Sequence, residues 1–310
     1  MLIAGAVCPH PPLLIPAALG AAAADPPAEL RRVTDAAARA VAQLVATRPD
    51  LIAVVGGGPV DREYGAAAAG GLHDYGVGVT VGTGEPVLPL SLTVGRWLLE
   101  RAGVLGSTGD RPAVLFQAVA QRASPGDCLK LGVLLAERAP RVALLAMGDA
   151  CARPAREAPG VPDLPAQEYD EEVAEALAAA DARWLARLDP ARDAELVVAG
   201  RVAWQVLAGA AGGRRLHGRL LSMSAPYGVT YLVASWEQSR TEGGGRPAAE
   251  PQAGVGDRTS GGRPAAEPQA GVGDRTSGGR AAAEPQAGAG ERTSGGRPAA
   301  EPQAGAGDRN

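Results

Sequence analysis

Residues 2–12 read LIAGAVCPHPP. A short apolar run over 2–7 that stops at Cys8-Pro-His-Pro-Pro predicts a buried strand opening into a loop stiffened by proline, with His10 at the strand end. The same logic repeats downstream. Residues 28–47 carry Leu30, Val33, Ala37, Val41, Leu44 and Val45 at helical spacing and stop at Arg-Pro-Asp. Residues 51–55 give a second buried strand closed by Gly56-Gly57-Gly58-Pro59, and 77–81 a third. Residues 90–101 predict a helix, 113–120 a strand, 127–138 a helix, and 142–147 a strand ending in Gly148-Asp149. Several helices follow over 168–207, broken at Asp189-Pro190 and near Gly200, and two strands at 219–223 and 229–236 close the pattern. Strands alternating with helices predict the α/β class: a central, mostly buried sheet flanked by helices.

The alternation ends before residue 240. From Arg246 the segment RPAAEPQAGVGDRTSGG recurs at Arg263, Arg280 and Arg297, a spacing of 17 residues. Tandem units of this kind form solenoids when each offers an apolar face to its neighbours, and these offer none. After Arg240 the only residues larger than alanine able to seek a core are Val255 and Val272. That little burial cannot offset the ~1 to 2 kcal/mol per residue lost on ordering a backbone. Residues 1–239 are therefore expected to be one domain, and 240–310 a disordered repeat tail.

The chain of 310 residues has 30 basic and 34 acidic side chains, a formal charge of −4. Neither nucleic acid nor an anionic membrane is an expected partner of such a balance. No apolar stretch is long and clean enough to span a bilayer, and prolines at 9, 11, 12 and 16 interrupt the N-terminal run, which no basic region precedes. Three cysteines, Cys8, Cys128 and Cys151, lack CxxC spacing, so neither a disulfide framework nor a zinc ribbon is expected, and a reduced, cytoplasmic setting is.

In open α/β sheets ligands gather at strand ends, which singles out residues 8–12, 56–62 and 148–153. A proline-boxed histidine at a strand end suits a metal ligand, and equally a hydrogen-bonded structural residue. The triple glycine lacks both the GK[ST] ending and the GxGxxG spacing of a phosphate loop. Asp149 reads either as a ligand or acid–base group, or as the cap of the next helix. Cys151 has no histidine near it in sequence to activate it.

Three segments in order, AVCPHPPLLIP, then GDACARPAREAPG followed by EYDEEVAEAL, then SAPYGVTYLVA, resemble the class III extradiol ring-cleavage dioxygenase B subunits, nearest the branch shared with Memo-like proteins. In that branch the segments read PHPP, GDLSHR…EAP and PFGVGY, and the resemblance runs from residue 1 to about 236. It implies a sheet-edge Fe(II) centre that binds a catechol-like substrate beside dioxygen, and a homo-oligomer. Two histidines and one carboxylate with open positions suit such chemistry.

Carried over residue by residue, His10 falls on the family's first metal histidine. The family's S-P-H-G after the second strand is Gly56-Gly57-Gly58-Pro59 here, so the second histidine is absent, and Ala152 stands at its acid–base histidine. Besides His10 the chain has only His73 and His217. His73, in the loop after the glycine turn, is the candidate to reach back into the site, whereas His217, between Arg215 and Arg219, reads as solvated. No carboxylate near the C-terminus matches a family motif, although Glu237 lies there.

Two functional expectations result. One is an iron-dependent ring-cleavage oxygenase with His10 as metal ligand and Asp149 and His73 as the candidate catalytic residues. The other is a catalytically inactive or repurposed member of the same fold that holds no metal and binds a small molecule or a protein partner through the old cleft.

Overall fold

The computed structural model describes residues 1–105, 111–152 and 164–238. In chain order the elements are β1 Leu2–Cys8, α1 Ala28–Ala46, β2 Leu51–Gly58, β3 Arg62–Gly65, β4 Ala69–Gly71, β5 Thr80–Val81, β6 Pro86–Leu88, α2 Leu90–Arg101, β7 Ala113–Ala120, α3 Pro125–Ala136, β8 Val142–Met147, α4 Leu164–Ala179, α5 Ala182–Leu185, α6 Pro190–Glu195, α7 Arg201–Ala211, β9 Leu216–Ser224 and β10 Tyr231–Gln238. The repeat tail predicted for 240–310 lies outside the described residues, as do Arg153 and the Glu-Ala-Pro-Gly of the second family-like segment.

A seven-stranded sheet in the order β3-β7-β2-β8-β1-β10-β9 forms the middle of the molecule. Its four central strands β7, β2, β8 and β1 are parallel, and β3, β10 and β9 add antiparallel at the edges. The central strands are apolar without alternation because both faces are covered. On β2, Leu51, Ala53 and Val55 join the core under α3 to α7, while Ile52 and Val54 join the core under α1 and α2. On β8, Val142, Leu144 and Ala146 divide from Ala143, Leu145 and Met147 in the same way, the two-residue period of an extended chain. The architecture is thus the expected helix-flanked α/β sheet. Among the described residues, no helix is long and apolar enough to cross a membrane.

Helix ends follow local chemistry. The helix predicted from Asp127 begins earlier, at Pro125, because the Ser124 side chain accepts the Asp127 amide at 3.1 Å and proline at the first helical position needs no partner for its missing N–H. Asp189 likewise caps α6 by accepting from the Ala191 amide at 3.0 Å.

The strand predicted over 77–81 is a correction: only Thr80–Val81 is extended, and it belongs to a separate three-stranded sheet β5-β4-β6. β3 was not predicted because Arg62 and Glu63 are exposed and leave no apolar alternation. β9 begins at Leu216 rather than Arg219. His217 therefore lies on a strand opposite Glu237, exposed as expected.

Candidate functional site

The parallel arrangement brings the carboxyl ends of β1, β2, β7 and β8 to one edge of the sheet, and the antiparallel β10 begins there. Two loops issuing from adjacent strands meet at this edge. The Asp149 carboxylate Oδ1 accepts the backbone N–H of His10 at 2.8 Å, across 139 residues of sequence. Among the described residues Asp149 caps no helix, and its carboxylate staples the β8 end to the β1 end. The His10 ring follows, with Nδ1 3.5 Å from the same Oδ1 and the two side chains 13% and 14% exposed. At that separation Nδ1 is buried without a hydrogen-bond partner.

Backbone bonds hold the Asp149 loop on both sides. Gly148 N–H donates to Cys8 O at 2.9 Å, Ala150 N–H to Thr230 O at 2.9 Å, and Thr230 N–H to Cys151 O at 2.9 Å. Tyr231, missed in the sequence, starts β10 beside this loop. Burial, with the Asp149 and Tyr227 charges adding, pushes its phenol up to about 12, so it stays a neutral hydroxyl. The closing SAPYGVTYLVA segment carries both tyrosines and was the available signal. Opposite lies the triple glycine: Ser91 Oγ donates to Gly57 O at 2.7 Å, and Gln121 Nε2 reaches Val198 O at 3.2 Å and Ala199 O at 3.3 Å.

His73 sits on the turn His73–Tyr75 that follows β4, exposed to solvent. Among the described residues no hydrogen bond or ion pair joins it to His10 or Asp149. The three cysteines are all buried, and burial drives the Cys8 thiol well above its ordinary range. A groove of 430 Å³ between α1 and α2, lined by Ala38, Ala42, Val45, Leu98 and Arg101, lies near the carboxyl ends of those helices and hence toward the opposite edge of the sheet. Its lining offers a single charged group and no convergent chemistry.

The Fe(II) centre that the resemblance implies asks for two histidines and a carboxylate around one point. The residues present do not fit it. Gly58 stands where the second histidine belongs, and a Cβ there would lie 2.9 Å from the Ala118 Cβ. A Cβ on Gly57 would meet Gln121 Oε1 at 2.3 Å. Among the described residues, no group of three or more His, Cys, Asp or Glu is arranged to hold a metal ion. The expectation of a metal at His10 therefore has one histidine and one carboxylate behind it, the latter already engaged by the His10 amide.

The loop that borders this edge, residues 196–200, is strained. Val197 has φ +55 and is exposed, a left-handed conformation that costs a β-branched residue roughly 1 to 3 kcal/mol. Allowing for the extra backbone entropy glycine loses, Val197→Gly is expected to stabilise the fold by about 1 kcal/mol. A raised urea midpoint with unchanged slope is the result to look for, and a lowered midpoint would mean that Val197 makes contacts worth more than its strain.

No family model matches the chain, and no curated protein matches it either. Among solved structures, an uncharacterized protein from Escherichia coli K12 is similar at 14% identity and a TM-score of 0.41, with 76% of this chain and 99% of that chain covered.

Proposed function

We propose that the domain is a repurposed relative of the extradiol dioxygenases that binds a small diol-bearing aromatic molecule at the carboxyl ends of β1, β2 and β8, with His10 and Asp149 as its polar anchor and without iron-dependent ring cleavage. The observation that carries this reading is the juxtaposition of those two side chains, largely buried, at the sheet edge. Asp149 fixes the backbone of the His10 loop, and its carboxylate faces Nδ1. A ligand hydroxyl that engages Nε2 draws the ring into a two-sided hydrogen-bond relay, with the 3.5 Å gap to Asp149 closing as it does. The Ser91 hydroxyl across the site is committed to the Gly57 carbonyl.

Catechol is the probe. Calorimetric titration of the full chain is expected to show saturable, one-site binding that His10→Ala weakens by about tenfold or more, the ~1 to 3 kcal/mol cost of leaving a buried ligand hydroxyl without its partner. Anaerobic incubation with Fe(II) followed by desalting is expected to leave far less than one iron per chain, and addition of oxygen and catechol to give no ring-opened product. Stoichiometric iron that His10→Ala abolishes, together with ring-opened product, would replace this reading with the oxygenase. Absence of saturable binding would overturn both the anchor and its ligand.

A further inference from the structure

We propose that the buried Asp193–Arg201 pair, together with Tyr169, is a positioning device that clips the two ends of the 193–201 segment together and so holds Asp149 against His10. It rests on the site proposed above only for its purpose, since the contact it supports is a structural one.

Asp193 and Arg201 sit at the two ends of that segment, both 3% exposed at the side chain, with Arg201 Nε 3.3 Å from Asp193 Oδ2. Tyr169 on α4 donates its hydroxyl to Asp193 Oδ1 at 2.6 Å. Arg201 then spends its remaining donors on Gln121 O at 2.8 Å and Ala123 O at 3.1 Å after β7, and on Gln205 Oε1 at 2.9 Å one turn along α7. Gln205 continues to Leu188 O at 3.0 Å. The segment between the clipped ends makes the contacts that matter for the site. Ala199 N–H donates to Asp149 O at 3.2 Å, Ala152 N–H to Leu196 O at 3.2 Å, and Val198 N–H returns to Asp193 O at 2.8 Å. Besides its bonds to β1 and β10 and the Cys151 N–H bond to Asp170 Oδ1 at 3.0 Å, the 149–152 backbone is thus bonded at both ends to a loop that the ion pair closes.

Two features separate this arrangement from ordinary core filling. A buried ion pair gains little stability over apolar side chains of the same size, because desolvation offsets the attraction. Its effect on Asp193 is visible: burial pushes the carboxyl up to about 6, while Tyr169 and Arg201 pull it down. The other charges nearby are Asp189 and Arg192, and Arg192 is turned outward, its guanidinium over the Tyr169 ring and 3.8 Å from Glu172. The loop being tied is also the one that carries Val197 at φ +55, a backbone that relaxes unless the surrounding structure dictates it.

Hydrogen exchange at the His10 amide reads the outcome directly, because that N–H is the donor to Asp149. In the full chain at neutral pH, Asp193→Asn is expected to speed exchange at His10 by at least about tenfold relative to the core amides of Val54 and Leu144, which report global opening. Tyr169→Phe, which removes one hydrogen bond and keeps the ion pair, is expected to give a smaller acceleration of the same kind, about threefold, and carries the test if Asp193→Asn does not fold. Exchange at His10 that changes only in step with Val54 and Leu144 in both variants would overturn the proposal and leave the pair a purely structural one. A protein that binds no catechol yet shows the selective acceleration keeps the clamp and loses the ligand, so the two failures are distinguishable.

Discussion

Arg201→Ala is expected to lower the unfolding free energy by about 3 to 5 kcal/mol, the cost of removing one partner of a buried ion pair. The guanidinium is 3% exposed and satisfies three backbone or amide oxygens besides its contact with Asp193. Its loss strands the Asp193 carboxylate in the core and removes the donor to Gln121 O and Ala123 O. Acidification should relieve part of the loss. Asp193 is already raised to about 6 in the folded chain, above its ordinary 3.8, and without Arg201 it rises further. A raised folded-state carboxyl favours folding at low pH and costs stability as pH climbs through its folded value, so the deficit of the variant is larger at pH ~8 than at pH ~5. Urea unfolding followed by circular dichroism at both pH values measures it. A deficit below about 1 kcal/mol would mean that the pair is hydrated rather than buried.

Gly148→Ala is expected to cost about 3 kcal/mol, at the upper end for overpacking, because the new methyl has no flexible neighbour to displace. Its Cβ would stand 2.3 Å from Gly200 Cα and 3.2 Å from Gly200 C, so backbone meets backbone where β8 ends and α7 begins. For a domain of this size the melting temperature should fall by roughly 10 °C. Gly65→Ala is the control: nothing lies within 4 Å of a Cβ there, and the melting temperature should stay within about 2 °C of the parent. Equal behaviour of the two variants would show that the β8–α7 contact is looser than its geometry states.

How much of this was legible beforehand depended on whether a residue's role is local. The strands 113–120 and 142–147 coincide with β7 and β8, since an apolar run buried on both faces declares itself in sequence. β3 and the first residues of β9 did not, because edge strands with Arg62, Glu63 or His217 facing water look like loops. At the site, strand-end logic picked out His10 and Asp149 separately, yet nothing in the sequence joins two residues 139 positions apart, and a capping role for Asp149 was the cheaper expectation. Tyr169, Asp193 and Arg201 were invisible for the same reason. Each is polar on a short or amphipathic helix, where polarity ordinarily means solvent, and only the meeting of α4, α6 and α7 buries them together.

The proposed function requires His10 and Asp149 to act as one ligand anchor. Calorimetric titration of catechol into the parent chain, His10→Ala and Asp149→Asn tests it most directly. If the two side chains form one anchor, the parent binds at a single site and both variants weaken binding by a similar factor of about ten. Binding of equal strength in all three proteins would contradict it.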